Sequence, residues 1–193
     1  MRYNGRMEPL TDEEVRELGA YANAIRRTIV EMLATAGSGH LAGPLGMTDI
    51  FTALYFRVLK HDPKNPEWEE RDRLFLSNGH ITPVRYAAMA HAGYFPIEEC
   101  STLRKFGSRL QGHPEREKLP GVETTSGPLG SGLSQASGYA YAARMDGKNF
   151  HVFCVMSDGE QEEGNTWEGA MFAGKYRLNN LTAIMDRNNI QID

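Results

Sequence analysis

The chain lacks the features that would assign it to a membrane, extracellular or nucleic-acid-binding class. No apolar run approaches the roughly 18 residues of a membrane-spanning helix, and the opening segment MRYNGRMEPLTDEEV has no signal-peptide core. Only two cysteines occur, Cys100 and Cys154, which excludes a disulfide framework and favours a reducing compartment such as the cytoplasm. Because the formal net charge is -4, we expect neither nucleic acid nor a membrane as a partner.

The composition is that of an ordinary globular domain. Hydrophobic residues make up 40% and charged residues 24% of the 193 positions, without repeats or low-complexity tracts. A capping box over 11–14 starts a helix with apolar residues at a period near 3.6, and Gly37 is its natural end. Further helices are predicted over 47–59, 82–93, 97–106, 127–145 and 165–177. The Gly- and Pro-rich segment 107–127 is predicted to be a long functional loop.

Three short apolar strands are each followed at once by a polar turn. They are contained in DRLFLSNGH (72–80), HVFCVMSDG (151–159) and LTAIMDRNN (181–189). A helix between the last two predicts a parallel pair with a right-handed crossover. The sequence therefore predicts an α/β fold with a mainly parallel sheet flanked by helices.

Oxygen-bearing side chains follow the second and third strands. Asp158 and Asn188 stand thirty positions apart, just beyond two strand ends that should share one edge of the sheet. A carboxylate and an amide oxygen suit Mg²⁺, and Gly159 lets a backbone N–H approach a phosphate closely. Either turn alone is more often a structural Asx turn. The pair at this spacing favours a metal–diphosphate site.

The same residues carry a family resemblance. The segment SDGEQEEGNTWEGAMFAGKYRLNNLTAIMDRNNIQID resembles the thiamine diphosphate motif in its transketolase form, with Ser157 in place of the first glycine. SGH at 38–40, LSNGH at 76–80, GHPE at 112–115 and TTSGPLGSGLSQASGYA at 124–140 are similar to transketolase segments in the same order. The resemblance covers nearly the whole chain and implies the diphosphate-binding (PP-type) domain.

The resemblance implies a cofactor and a metal. Thiamine diphosphate would be bound with Mg²⁺, for which Ca²⁺ or Mn²⁺ could substitute. The implied metal ligands are Asp158, Asn188 and the carbonyl of Ile190. The implied cofactor contacts are Gly159 at the diphosphate and Gly127 and Leu129 at the aminopyrimidine.

The resemblance also implies catalytic residues. His40, His80 and His113 would line the substrate channel and the diphosphate, each following a glycine that leaves room for a ligand. Glu163 and Glu168 resemble the acidic pair that links two active sites across the family's dimer interface. Of the two, Glu163 would be a catalytic residue and Glu168 would lie beside the cofactor.

The implied activity is transfer of a two-carbon ketol unit from a ketose phosphate to an aldose phosphate, in pentose phosphate metabolism. Residues 1–193 would form a single, incomplete diphosphate-binding domain that stops early. The pyrimidine-binding domain, whose glutamate starts proton removal from the cofactor, is expected on a second, C-terminal subunit. We expect a heterotetramer with two copies of each subunit, and no activity from this chain alone.

Alternative functions come from two directions. 1-Deoxyxylulose-5-phosphate synthase and the pyruvate dehydrogenase decarboxylase share the Asp…Asn motif, although LSNGH and GHPE favour transketolase. A non-catalytic cofactor-binding scaffold or partner protein is the other alternative. The three histidines argue against it, because a mere binder would not need them.

Several other polar residues are predicted to have no role in catalysis or cofactor binding. His61, His91 and His151 are predicted to be solvated, as are Glu160 and Glu162 at a helix start. A three-histidine zinc site is a minor alternative, because no two histidines have the i, i+4 spacing of ligands on a helix. GPLGSG follows no apolar strand and is not a dinucleotide fingerprint.

Overall fold

The sheet is three-stranded and fully parallel. A computed structural model describes residues 9–190. The strands are β1 (Arg73–Leu76), β2 (Val152–Ser157) and β3 (Leu181–Asp186), in the order β1-β2-β3. Ser157 of β2 pairs with Asp186 of β3, so the carboxyl ends of the two strands are level. The predicted α/β fold is confirmed.

Six α-helices and several short helical turns surround the sheet within residues 9–190. The helices are α1 (Asp12–Ala36), α2 (Ala42–Gly46), α3 (Thr48–Ala53), α4 (Thr82–His91), α5 (Gly132–Met145) and α6 (Gly164–Lys175). A π-helical turn, Leu54–Val58, continues α3, and 3-10 turns cover Gly79–Ile81, Ile97–Thr102 and Gly159–Glu162. None of the helices in this part of the chain has the length and apolar character needed to cross a membrane.

The first helix begins and ends where the sequence predicts. The Thr11 hydroxyl accepts a hydrogen bond from the Glu14 N–H at 3.2 Å, and the Glu14 carboxylate accepts from the Thr11 N–H at 2.8 Å. Gly37 ends the helix with φ of 66°, a conformation that costs glycine little. The predicted capping box is therefore confirmed.

Apolar side chains leave the sheet in alternate directions and form one core on each face. Leu74, Leu76, Phe153 and Val155 pack with α1, α3 and α4. Phe75, Val152, Cys154 and Met156 pack against α5. This period of two places helices on both sides of β1 and β2.

Three predicted helices differ from the observed elements. The helix expected over 127–145 begins only at Gly132, because residues 127–131 form a loop. The helix expected over 47–59 is interrupted: α3 gives way to a π-turn, and Ile50, expected on the apolar face, is exposed while Phe51 is buried. The helix expected over 97–106 is only a 3-10 turn, which ends before Arg104 takes a left-handed φ of 61°. A single bulky residue in that conformation is enough to end a helix.

The predicted long loop, 107–127, contains no helix or strand and is held by buried polar contacts. The Glu123 carboxylate accepts hydrogen bonds from both terminal nitrogens of Arg71, and the Arg73 Nε lies 3.8 Å away from it. Arg85, which is fully buried, donates to the Gly121 carbonyl at 2.9 Å. These contacts join the loop to β1 and α4, and so fix where the segment after it begins.

Helix α5 starts against the end of β1 because residue 132 is glycine. A Cβ built there would lie 2.4 Å from the Ser77 Cβ. We expect Gly132→Ala to destabilise the protein by about 1–3 kcal/mol through overpacking, measured by urea unfolding. Gly138→Ala, on the same helix with nothing within 4 Å of the added atom, should instead add about 1 kcal/mol of helix propensity. Equal effects would contradict this packing.

Candidate functional site

The two polar turns after β2 and β3 meet at one edge of the sheet. The Asp158 N–H donates to the Asp186 carbonyl at 3.0 Å, and Asp158 Oδ2 accepts from the Asn189 N–H at 2.9 Å. Asp158 Oδ1 also accepts from the Gly159 N–H at 3.0 Å. The convergence that the thirty-residue spacing predicts is therefore present.

The donor set at this edge has the chemistry that Mg²⁺ prefers. It offers the Asp158 carboxylate, the Asn188 amide oxygen and the exposed Ile190 backbone. Asn188 Oδ1 accepts from the Ile190 N–H at 2.9 Å, so the amide oxygen lies within this turn. These oxygens fit a hard cation, and coordination by Asp158 and Asn188 stays a prediction. Among residues 9–190 no group of three or more His, Cys, Asp or Glu could hold a metal ion, which leaves the three-histidine zinc alternative without support.

Three histidines from distant parts of the chain gather beside this edge. The rings of His40 and His80 lie 5.2 Å apart, centroid to centroid, in an edge-to-face arrangement. Burial, followed by the neighbouring charges of His40 and His113, lowers the pKa of His80. Burial, His40 and Arg104 lower the pKa of His113. The lowered pKa of each favours the neutral imidazole, which can both donate and accept hydrogen bonds.

The loop 126–130 joins the histidines to the turn after β2. A Cβ at Gly79, next to His80, would lie 2.8 Å from the Ser126 hydroxyl. The Ser126 N–H donates to the Pro114 carbonyl at 3.2 Å, next to His113. Gly127 is half-buried and Leu129 is 43% exposed, so both are accessible to a ligand.

The first residues of helix α6 contact the loop 126–130. Gly130, at φ of 80°, approaches Glu163 so closely that a Cβ would lie 2.6 Å from the Glu163 Cβ. The Asn165 amide donates to the Gly130 carbonyl at 3.0 Å. Glu163 thus adjoins the predicted cofactor loop, whereas Glu168 lies exposed farther along the helix, next to Trp167.

The structure contradicts the prediction that Glu160 is solvated. It is fully buried, and its carboxylate accepts hydrogen bonds from the Ser157 N–H at 2.7 Å and the Gly130 N–H at 2.8 Å. Ser157–Glu160 has the S-x-x-E pattern of a capping box, in which the acid reaches back to the first residue. That local pattern could have revealed the contact with Ser157, but not the one with Gly130.

The three histidines outside the site are half-buried rather than solvated. The imidazole Nε2 of His61 bonds to the Tyr55 carbonyl, that of His91 to the Thr28 hydroxyl and that of His151 to the Thr182 hydroxyl, at 2.7, 2.9 and 2.8 Å. Burial lowers the pKa of His91 and of His151. They are structural residues, and the prediction of solvation was wrong.

The lowered pKa of His80 predicts how stability changes with pH. Its folded pKa lies below its ordinary value of 6.5, although Glu160 and Asp186 act to raise it. As pH falls through 6.5 the unfolded chain therefore binds protons first, and the free energy of unfolding decreases. The stabilisation is complete above this range. Thermal unfolding between pH 5 and 8 should show a shallower pH slope for His80→Gln, and an unchanged slope would refute this.

Comparisons with known proteins show the family of the chain. Residues 19–193 match the family model described as "Transketolase, thiamine diphosphate binding domain". The chain is 45% identical over 181 residues to a 6-deoxy-6-sulfo-D-fructose transketolase subunit of Clostridium sp. (strain MSTE9), which covers 94% of this chain and 66% of that protein. It is 40% identical to an apulose-4-phosphate transketolase subunit of Phocaeicola vulgatus, across 93% of this chain and 63% of the relative.

Solved structures give the same result. Transketolase from Campylobacter jejuni superposes with a TM-score of 0.85 at 38% identity, covering 91% of this chain and 29% of that one. The chain thus spans about two thirds of the subunit relatives and less than a third of the longer enzyme. The family match over most of the chain and the shared fold together show that the chain belongs to the transketolase family, as its thiamine diphosphate-binding domain.

Proposed function

We propose that this chain is the diphosphate-binding subunit of a two-polypeptide transketolase that transfers a two-carbon ketol unit between sugar phosphates. The observation that carries the proposal is the meeting of Asp158 with the 188–190 turn beside three histidines at one sheet edge. The relatives named above are transketolases, which favours ketol transfer over the synthase and decarboxylase alternatives.

In this proposal each part of the site holds one part of the cofactor. Asp158, Asn188 and the Ile190 carbonyl would bind Mg²⁺, and Gly127 and Leu129 would contact the aminopyrimidine. The Gly159 N–H, which donates to Asp158 Oδ1 in this structure, would donate instead to the diphosphate. When bound, thiamine diphosphate supplies a nucleophilic carbon that accepts the two-carbon unit. The protein contributes position and a preformed environment.

The three histidines would bind the sugar substrate and the diphosphate. His40 and His113 would bind donor hydroxyls, because imidazole nitrogens form hydrogen bonds with sugar hydroxyls. His80 is close to both other histidines and to Asp186 at the sheet edge, which supports a contact with the diphosphate. The lowered pKa of His80 and His113 supports proton transfer near pH 7, since an uncharged imidazole is the basic form.

A second polypeptide is part of the proposal. The outer face of α6 exposes Trp167 at 56% and Met171 at 67%, between Glu163 and the end of the helix. Exposed large apolar side chains of this kind mark interaction surfaces. This supports an interface at α6, where Glu163 and Glu168 would link two active sites in a heterotetramer with a pyrimidine-domain subunit.

The proposed substrate class is supported by the names of the relatives. One relative is named for a sulfonated sugar and another for a sugar phosphate, so both are named for anionic sugars. We propose a ketose phosphate donor and an aldose phosphate acceptor, in pentose phosphate metabolism. The cytoplasm is the proposed location, supported by two buried free thiols whose pKa values burial raises, that of Cys100 to about 12.

The direct test reconstitutes the chain with a pyrimidine-domain subunit from the same genome. Ketol transfer from a ketose phosphate is measured with thiamine diphosphate and Mg²⁺, and the two polypeptides are also assayed separately. We expect turnover only with both polypeptides present, and its loss on chelation. Turnover by this chain alone would contradict the split arrangement. Cofactor binding without turnover in the complex would favour the non-catalytic scaffold.

A further inference from the structure

Glu160 is a fully buried carboxylate at the centre of the candidate site. One oxygen accepts hydrogen bonds from the Ser77 hydroxyl and from the Gly130 N–H at 2.8 Å. The other accepts from the Ser157 N–H at 2.7 Å and, at 3.3 Å, from the Ser157 hydroxyl. Both oxygens are therefore used, as a buried carboxylate requires.

The three residues that donate these four hydrogen bonds come from three separate segments of the chain. Ser77 directly follows β1, three residues before His80, and Ser157 ends β2 directly before Asp158. Gly130 closes the loop that carries Gly127 and Leu129. Each donor is thus within three positions of a proposed cofactor or catalytic residue.

A fourth segment is joined through the backbone of the same residue. The Thr166 hydroxyl donates to the Glu160 carbonyl at 2.9 Å. Thr166 lies in the first turn of α6, which follows Glu163. Among the ion pairs formed by residues 9–190, none includes Glu160. In this part of the chain its charge is therefore balanced by neutral donors, which a carboxylate orients strongly.

We propose that Glu160 is a positioning residue for the cofactor site, holding the ends of β1 and β2 and the loop 126–130 at a fixed mutual distance. The role rests on the proposed function, because it acts through Asp158, Gly159, Gly127 and Leu129 on bound thiamine diphosphate. A carboxylate is needed at this position because it accepts on both oxygens. Glutamine has one acceptor, and its NH₂ group would face a donor.

The test compares Glu160→Gln with Glu31→Gln, an exposed residue of α1 that loses the same charge away from the site. Thiamine diphosphate affinity of the full chain is measured by calorimetry with Mg²⁺, and hydrogen exchange is followed at the Gly130 and Ser157 amides. We expect affinity to fall by about tenfold or more in Glu160→Gln, since buried donors lose their partner. The two amides should lose protection while Ile25 and Ile29 in the α1 core keep theirs. Glu31→Gln should match the wild type.

A milder variant keeps the test decisive if Glu160→Gln fails to fold. Ser77→Ala removes one donor from the carboxylate and should weaken cofactor binding by about threefold to tenfold. Wild-type affinity in a folded Glu160→Gln or in Ser77→Ala would overturn the proposal, as would uniform loss of protection including α1. A wild-type chain that binds no thiamine diphosphate, either alone or in complex with the pyrimidine-domain subunit, contradicts the proposed function itself and removes the role given to Glu160.

Discussion

Asp158→Asn is expected to weaken thiamine diphosphate binding in the presence of Mg²⁺ by about 100-fold or more, because changes even to groups supporting metal ligands cost 10–100-fold. The change keeps the shape of the side chain but removes the only carboxylate of the proposed ligand set. Calorimetric titration of the chain, with and without a chelator, measures the effect. Chelation should bring the wild type down to the level of the variant.

The control for this measurement is Asp146→Asn. Asp146 is exposed at the end of α5, so its replacement removes the same charge without touching the sheet edge. Cofactor binding by this variant should be unchanged. If Asp158→Asn bound as tightly as the wild type, or chelation had no effect, Mg²⁺ coordination at Asp158 would be wrong.

Glu123→Ala is expected to lower the free energy of unfolding by about 3–5 kcal/mol, the cost of leaving a buried charge without its partner. Glu123 is 6% exposed, and it is the carboxylate that faces Arg71 and Arg73, which are 10% and 7% exposed. Its loss leaves both guanidinium groups buried without this carboxylate. Urea unfolding followed by circular dichroism measures the change.

Glu70→Gln tests whether any ion pair at this end of the molecule would have the same effect. Glu70 accepts from Lys148 at 2.9 Å, but the two side chains are 40% and 35% exposed, and contact with water weakens the pair. Stability should barely change. Glu123→Ala should also make the loop 107–127 more susceptible to protease, since Glu123 fixes its end. Equal stability of the two variants would show that the buried pair contributes nothing special.

Much of the local structure could be predicted because it depends on neighbouring residues. The capping box at Thr11, the stop at Gly37 and the turns after β2 and β3 follow from hydrogen bonds and periodicity within a few positions. The meeting of Asp158 with the 188–190 turn could also be expected, because the strands that precede them lie parallel and in register. Family resemblance named the same residues.

Other features could not be predicted because tertiary packing decides them. Phe51 rather than Ile50 packs into the core from α3, and the helix expected over 97–106 is replaced by a single 3-10 turn. His61 and His91 are held by hydroxyl and carbonyl groups from other elements. Residue type alone gives no information about such partners.

Glu160 shows most clearly the difference between contacts that a local sequence pattern predicts and contacts that depend on tertiary packing. The sequence alone determined that an acid stands in an S-x-x-E turn at the end of a strand, from which a bond to its own turn can form. Only the tertiary structure decided that Ser77, 83 positions away, and Gly130, 30 positions away, donate to the same carboxylate. The physical reason is that burial depends on which distant segments pack over a side chain, and no local pattern encodes that.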